Sequence, residues 1–283
     1  MTLPGVTRYR RAVVRFSVSQ ITTLNWPFER DIEAFAAAGA SAVGVAIRKL
    51  EVCGLARAKR LLHDAGLAVS CLTSTGPFPL GDDAGERAAL ERARRHLACA
   101  AELRADCLML LPGNAIGWSW EESADRFRPL LETLLPAAEQ AGVRLALEPA
   151  SQLRMDLAFL HSFDEALDFV AALASPWVGV VLEVNNAWIE RRLYHNIRAR
   201  TPLIALVQVN DFKVGTLSAS ARVVIGDGDI PLRRICSALA AAGYDGWYDI
   251  ELIGPAIEEE GYESVVPRAV ARFRALWDET GAA

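Results

Sequence analysis

The sequence alternates between short β-branched runs and longer segments with helical spacing of apolar residues, and this alternation continues along nearly the whole chain. Helical segments such as "LARAKRLLHDAG" and "ESADRFRPLLETLLPAAEQAG" end at glycine, which favours helix C-termini. The β-branched runs are apolar at nearly every position, which is typical of parallel strands covered on both faces. We count eight such runs: "AVVRFSVS", "SAVGVAI", "LAVSCLTS", "CLMLLPG", "VRLALEP", "VGVVLEV", "LIALVQV" and "GWYDIEL".

Eight strand–helix units in a chain of 283 residues predict an α/β fold, a single (β/α)8 TIM barrel over residues 1–283. Roughly 250 residues is typical of that barrel. A doubly wound open sheet is the alternative, but "SVSQITTLNW", after the first run, lacks the glycine-rich fingerprint of a dinucleotide site. No Pro/Gly/Ser tract divides the chain, so one domain is expected.

Charge and composition narrow the classes of partner. The formal net charge is -5 and no block of Lys and Arg occurs, which argues against binding to nucleic acid or to anionic membranes. Uncharged runs such as "AFAAAGASAVGVAI" are too short to span a bilayer, and "MTLPGVTRYRRAVVRF" lacks the apolar core of a leader. The five scattered cysteines are read as reduced thiols. We therefore expect a cytoplasmic protein.

Oxygen-bearing side chains end four consecutive strands in the second half of the chain. They are Glu148, Glu183, Gln208 and Glu251. Chemistry in a barrel of this kind lies at the carboxyl ends of the strands, where these groups would converge and the three carboxylates would repel one another. A divalent cation removes the repulsion, and oxygen ligands favour Mn²⁺, Mg²⁺ or Co²⁺, with the Gln208 amide as a neutral ligand.

Structural explanations exist for each of these residues taken alone. A Glu at a strand end can cap the next helix or pair with a nearby Arg, and Gln208 can be a satisfied core amide. The occurrence of all four at equivalent heights on adjacent strands is what favours the metal site.

Five motifs resemble those of the sugar phosphate isomerase/epimerase superfamily, whose members share the xylose isomerase-like TIM barrel: "LALEP", "VVLEV", "VQVND", "GDGDIP" and "AAGYDGWYDIEL". The seventh-strand pattern is most similar to the hydroxypyruvate isomerase branch, where a Gln replaces the commoner His. The resemblance implies a metal, Mn²⁺ first, held by Glu148, Glu183, Gln208 and Glu251. It also implies that Glu148 and Glu251 are the acid and base of an enediolate mechanism acting on a small polyhydroxylated substrate.

The resemblance extends to substrate contacts and includes two departures. Arg222, four residues before Gly226, matches an Arg that contacts substrate oxygens in relatives. The sixth-strand acid is usually Asp, whereas this chain has the longer Glu183. Asn186 stands where many members carry a His that helps to bind the substrate, so we include Asn186 among the substrate-binding candidates.

Three further candidates for substrate contact follow from position alone. Lys49 comes just after the second run, Trp118 lies in the loop after the fourth, and Arg154 follows the fifth. A Lys after a strand is commonly a solvated helix start, and a loop Trp commonly serves packing.

Three functions remain open at this point. The first is a metal-dependent isomerase or epimerase of a sugar, keto-acid or polyol; the second is a lyase on the same barrel, such as an inosose-type dehydratase or a C-glycoside-cleaving enzyme; the third is a non-catalytic ligand-binding barrel. The four histidines lack metal-ligand spacing, which argues against the histidine-rich zinc nuclease branch of this barrel. Superfamily members often associate through barrel faces, so the resemblance leaves a homo-oligomer open.

Overall fold

The computed structural model describes residues 14–280, and its centre is a closed barrel of eight parallel strands. The predicted TIM barrel is therefore confirmed, and each of the eight apolar runs supplies one strand. Residues 1–13, which include most of the basic N-terminal stretch, and residues 281–283 lie outside the described residues. The barrel strands are β1 (Phe16–Ser19), β2 (Ala42–Ala46), β3 (Ala68–Thr75), β4 (Cys107–Leu110), β5 (Arg144–Leu147), β6 (Val178–Glu183), β7 (Ile204–Val209) and β10 (Tyr248–Ile250), in that order around the barrel.

Helices cover the outside of the barrel. Two of the predicted helix C-termini are confirmed: helix α3 (Leu55–Ala65) is followed by Gly66 and helix α5 (Trp120–Ala141) by Gly142, both with positive φ (67° and 64°). Left-handed backbone of this kind favours glycine at a helix C-terminus. The helices are α1 (Phe28–Ala37), α2 (Ile47–Cys53), α3 (Leu55–Ala65), α4 (Asp83–Glu102), α5 (Trp120–Ala141), α6 (Phe163–Ala171), α7 (Val184–Ala187), α8 (Leu193–Arg200), α9 (Leu232–Ala241), α10 (Pro255–Glu260) and α11 (Tyr262–Asp278).

Apolar side chains are buried in two places. The larger cluster fills the layer between strands and helices. A smaller cluster lies inside the barrel and consists of Ala42, Cys71, Cys107, Met109, Ala146, Val181, Leu206 and Trp247. All five cysteines are free thiols. Among residues 14–280, no helix is both long and apolar enough to cross a membrane.

Arg144 lies at the amino-terminal end of the barrel. Its guanidinium donates hydrogen bonds to the carbonyl oxygens of Pro202 (2.8 Å), Val178 (3.0 Å) and Ile204 (3.3 Å). A Cβ at Gly179 would lie 2.6 Å from the guanidinium carbon, so this strand position has no room for a side chain. Arg144 thereby ties the beginnings of β5, β6 and β7 together.

A short hairpin folds over the opposite end, which we call the mouth. It pairs β8 (Asp211–Phe212) antiparallel with β9 (Arg222–Val223). The Asp211 carboxylate accepts backbone N–H bonds from Gly226 (2.9 Å), Gly228 (3.1 Å) and Ile230 (3.1 Å), which folds the "GDGDIP" segment back on the hairpin. This arrangement fixes the chain so that Arg222, on the returning strand, reaches the barrel mouth.

Candidate active site

The four strand-end residues lie at the same end of the barrel. Glu183, the last residue of β6, pairs in register with Gln208 on β7. Glu148 and Glu251 directly follow β5 and β10, and their backbone N–H groups donate to carbonyls of the neighbouring strands β4 (3.0 Å) and β7 (3.1 Å). Parallel strands end at the same edge, so their register brings these side chains to the mouth.

Arg222 lies among these carboxylates and is almost fully buried. One guanidinium nitrogen, Nη1, donates both to the Glu251 side chain and to the Glu251 backbone oxygen, the latter at 3.1 Å. The other, Nη2, lies 3.7 Å from Glu183 Oε1. Burial works against the positive charge, but Glu183 and Glu251 outweigh it and raise the pKa of Arg222 above its usual range. Arg222 is therefore the internal counter-ion of two of the three carboxylates.

Glu183 and Gln208 each have one side-chain oxygen that accepts no hydrogen bond. Glu183 Oε1 accepts from the Asn210 amide (2.7 Å) and the Asn185 backbone N–H (3.0 Å). Glu183 Oε2 and Gln208 Oε1 are buried and have no hydrogen-bond partner. Gln208 Nε2 has only a weak contact with Met109 Sδ at 4.0 Å. Buried acceptors without a partner are costly, so these two atoms are free to accept a hydrogen bond or to bind a cation.

The donor chemistry of this cluster fits a hard divalent cation. Carboxylate and amide oxygens are the ligands that Mn²⁺ and Mg²⁺ prefer, and the two unpartnered oxygens are available to such an ion. Within residues 14–280, however, no three His, Cys, Asp or Glu side chains are already arranged as a metal site. The Arg222 guanidinium lies against Glu251 and Glu183 in this structure.

Burial perturbs the acids at the mouth. It raises the pKa of Glu148 to about 8, with the charges of Glu251 and Glu183 adding to the rise and that of Arg222 opposing it. Burial also raises the pKa of Glu183, against the effect of Arg222. A carboxyl group whose pKa lies near neutrality can both hold and release a proton under ordinary conditions, as acid–base catalysis requires.

A cavity of about 170 Å³ opens above the cluster. Its wall includes Glu148, Glu251, Arg222, Asn186 and Arg154, five of the residues singled out in the sequence. It thus brings carboxylates and guanidinium groups together in a small space.

Comparison with known proteins identifies the family of this chain. A profile of the xylose isomerase-like TIM barrel family matches residues 32–273. The chain belongs to this family. A search of curated protein sequences found no match.

Solved structures agree with this family fold. Protein SMc04130 from Sinorhizobium meliloti is 28% identical and superposes with a TM-score of 0.87, over 92% of this chain and 98% of that one. The IOLI protein with a binding zinc atom is 19% identical, with a TM-score of 0.84 over 94% and 99% of the two chains. D-psicose 3-epimerase from Clostridium cellulolyticum with D-tagatose is 18% identical, with a TM-score of 0.76 over 93% and 99%.

Two of the predicted substrate contacts lie outside the cavity wall of this family member. Lys49 is buried, and its ammonium group bonds to Asp31 (2.6 Å) and to the backbone oxygen of Thr23 (2.7 Å). Trp118 packs under the guanidinium of Arg126, whose central carbon lies 3.8 Å from the ring centroid. Both side chains have structural partners instead.

Asp249 is a further buried acid of the barrel interior, and it was not among the predicted site residues. It lies on β10 two residues before Glu251, so both side chains point into the barrel, and it is fully buried. Ser17 Oγ donates to it at 2.5 Å, and burial raises its pKa to about 8. A Cβ at Gly44 would lie 2.7 Å from Asp249 Oδ1. The segment "YDIEL" indicated this position, because acids at every second position of a strand face the same side of the sheet.

The four histidines lie elsewhere. His96 is buried against Thr75 (2.6 Å), and His161 contacts the backbone oxygen of Ala150 (3.0 Å). His63 is exposed, and His195 is on α8. None of them lines the cavity beside Glu148.

Proposed function

We propose that this barrel is a divalent-metal-dependent isomerase or epimerase that moves a proton next to a carbonyl group of a small polyhydroxylated compound. The observation that carries the proposal is the placement of Glu148 and Glu251 in the wall of one small cavity, with Arg222 beside them. Two carboxyl groups and a fixed positive charge are the parts that proton transfer through an enediolate needs.

Two roles belong to residues of the chain: proton transfer and stabilisation of negative charge. One of Glu148 and Glu251 removes the proton from the carbon next to the carbonyl, and the other returns a proton to the same or the neighbouring carbon. In the metal-free protein, burial raises the pKa of Glu148 to about 8, so this carboxyl takes up a proton readily. Arg222 stabilises the negative charge that develops on the substrate oxygen, because its guanidinium is already fixed in a buried position.

Glu148, Glu183, Gln208 and Glu251 would hold the metal, for which Mn²⁺ is the first candidate and Mg²⁺ or Co²⁺ the others. When bound, a divalent ion supplies positive charge that stabilises an oxyanion next to the reacting carbon. The unpartnered oxygens of Glu183 and Gln208 support this assignment.

The size of the cavity supports a small substrate. Its 170 Å³ lies below the range of about 300–1,000 Å³ that is usual for drug-sized ligands. Arg154 and Asn186 in the wall offer hydrogen bonds to hydroxyl groups. One structural neighbour, D-psicose 3-epimerase with D-tagatose, is consistent with a substrate of this class.

Deuterium exchange tests the proposal. The protein is stripped of metal with a chelator, reloaded with MnCl₂ and incubated in deuterated water with hydroxypyruvate, dihydroxyacetone and D-tagatose, and the products are analysed by NMR and mass spectrometry. Incorporated deuterium without loss of mass from the carbon skeleton supports an isomerase or epimerase. Loss of water or of a larger fragment identifies a lyase, and a metal-loaded protein that binds these compounds without exchange identifies a binding barrel.

Variants separate catalysis by the two carboxyls from other effects. Glu148→Gln and Glu251→Gln should each abolish exchange, because each removes an acid–base group while keeping side-chain size. Glu91→Gln, at an exposed position on α4, is the matched control and should exchange normally. Full activity in either of the first two variants would refute the two-carboxylate assignment.

A further inference from the structure

A second cavity, of about 450 Å³, adjoins the first. Ser151, Asn186 and Ala219 line both cavities. Ser151 follows β5, Asn186 is on α7 and Ala219 lies between β8 and β9. The two spaces are therefore adjacent, and the residues that they share have no large side chain.

The second cavity differs in chemistry from the first. Leu153, Trp188, Ile189 and Phe212 supply much of its surface, and Leu153 and Ile189 are 66% and 74% exposed. Among the described residues that line it, none is Lys or Arg, so it offers no cationic partner for a phosphate or carboxylate. Exposed apolar side chains grouped in a concave surface are typical of ligand sites.

The acidic and imidazole groups of this second cavity are already engaged. Glu190 accepts backbone N–H bonds from Phe163 (2.6 Å) and Asp164 (3.2 Å) at the start of α6, and burial raises its pKa. His161 contacts the backbone oxygen of Ala150 at 3.0 Å. Because these groups serve the fold, the surface left for a ligand is chiefly apolar with neutral amides and hydroxyls at its edge.

We infer that the second cavity receives an apolar or aromatic substituent of the substrate, whose α-hydroxycarbonyl part occupies the first cavity. This inference rests on the proposed function for the identity of that first part. Three observations carry it: the cavities are adjacent and share three lining residues, the first is lined by charged groups whereas the second is chiefly apolar, and the second is the larger. A free sugar or keto-acid of a few carbons would leave the larger cavity unused.

A matched pair of ligands tests the inference by binding rather than by turnover. Hydroxyacetone and 1-hydroxy-4-phenylbutan-2-one share the α-hydroxyketone group, and only the second carries a phenyl ring on a short tether. Affinities are measured by isothermal titration calorimetry on the full chain loaded with MnCl₂. We expect the phenyl compound to bind at least about tenfold more tightly, since its ring would be removed from water.

Variants of two exposed residues in the second cavity test where the phenyl ring binds. The double variant Leu153→Ser, Ile189→Ser should lose most of the preference for the phenyl compound. Both positions are largely exposed, so the substitutions should leave folding intact, as thermal unfolding checks. Val52→Ser is the matched control, because Val52 is 87% exposed on α2 and lines neither cavity.

Equal affinity for the two compounds, including no binding of either, overturns the inference, and so does a preference that survives in the double variant. If the phenyl compound binds preferentially but neither compound exchanges deuterium, the inference stands and the proposed function fails. If both exchange with equal affinity, the proposed function stands and the inference fails.

Discussion

Replacing Arg222 with Met should destabilise the metal-free protein strongly. The substitution keeps an apolar stem but removes the counter-ion of Glu251 and Glu183, all three being nearly or fully buried. Removing one partner of a buried ion pair typically costs about 3–5 kcal/mol, because the other charge is left uncompensated. At about 2–4 °C per kcal/mol for a domain slightly smaller than this one, the expected fall in Tm is roughly 6–20 °C.

Thermal unfolding followed by circular dichroism, in the presence of a chelator, measures the loss. Arg154→Met is the matched control, since Arg154 lines the same cavity but pairs with Asp156 on the surface, where an ion pair is worth about 0–1 kcal/mol. The loss should be smaller at mildly acidic pH, because burial raises the pKa of Glu183 and its protonation relieves part of the uncompensated charge. Millimolar MnCl₂ should restore part of the Tm, because the ion would satisfy the same carboxylates. A fall in Tm no larger than that of Arg154→Met would refute the counter-ion role.

Three other predictions concern single side chains. Burial raises the pKa of Glu148 to about 8 in the folded state, so metal-free protein should lose stability as pH rises from about 5 to 8, and Glu148→Gln should make that decline shallower in chelator-treated urea titrations. Gln208→Ala should weaken Mn²⁺ binding measured by titration calorimetry, whereas Gln208→His should retain it, because imidazole is also a ligand; unchanged binding in Gln208→Ala would contradict the ligand role. Gly44→Ala should lower stability by about 1–3 kcal/mol through collision with Asp249, and adding Asp249→Ala should recover part of that loss in the same thermal assay.

The barrel could be predicted because each strand is buried on both faces and is therefore apolar nearly throughout. This pattern is local, and it predicted all eight strands although several are only three or four residues long. The segment "SFDE" at residues 162–165 has the spacing of a capping box, and both of its hydrogen bonds, between Ser162 and Glu165, are present at the start of α6. A capping box joins residues that are only three positions apart, so it can be read from the sequence without knowledge of the tertiary structure.

The contacts of Arg222 could not be read from sequence. Its motif suggested substrate contact, but its proximity to Glu251 depends on the β8–β9 hairpin and on Asp211, which folds the following loop. The partner of Lys49 was likewise hidden, because Asp31 lies on a different helix, α1. Sequence periodicity gives the face on which a residue lies, whereas the choice of ion-pair partner depends on how separate segments meet.

The cavity beside the carboxylates has a kinetic consequence. Since Glu148 and Glu251 line the same small space, a substrate and its product would occupy that space in turn. A product molecule still in the cavity would therefore exclude the next substrate. In steady-state experiments on a one-substrate reaction, added product should act as a competitive inhibitor, raising the apparent KM and leaving the maximal rate unchanged.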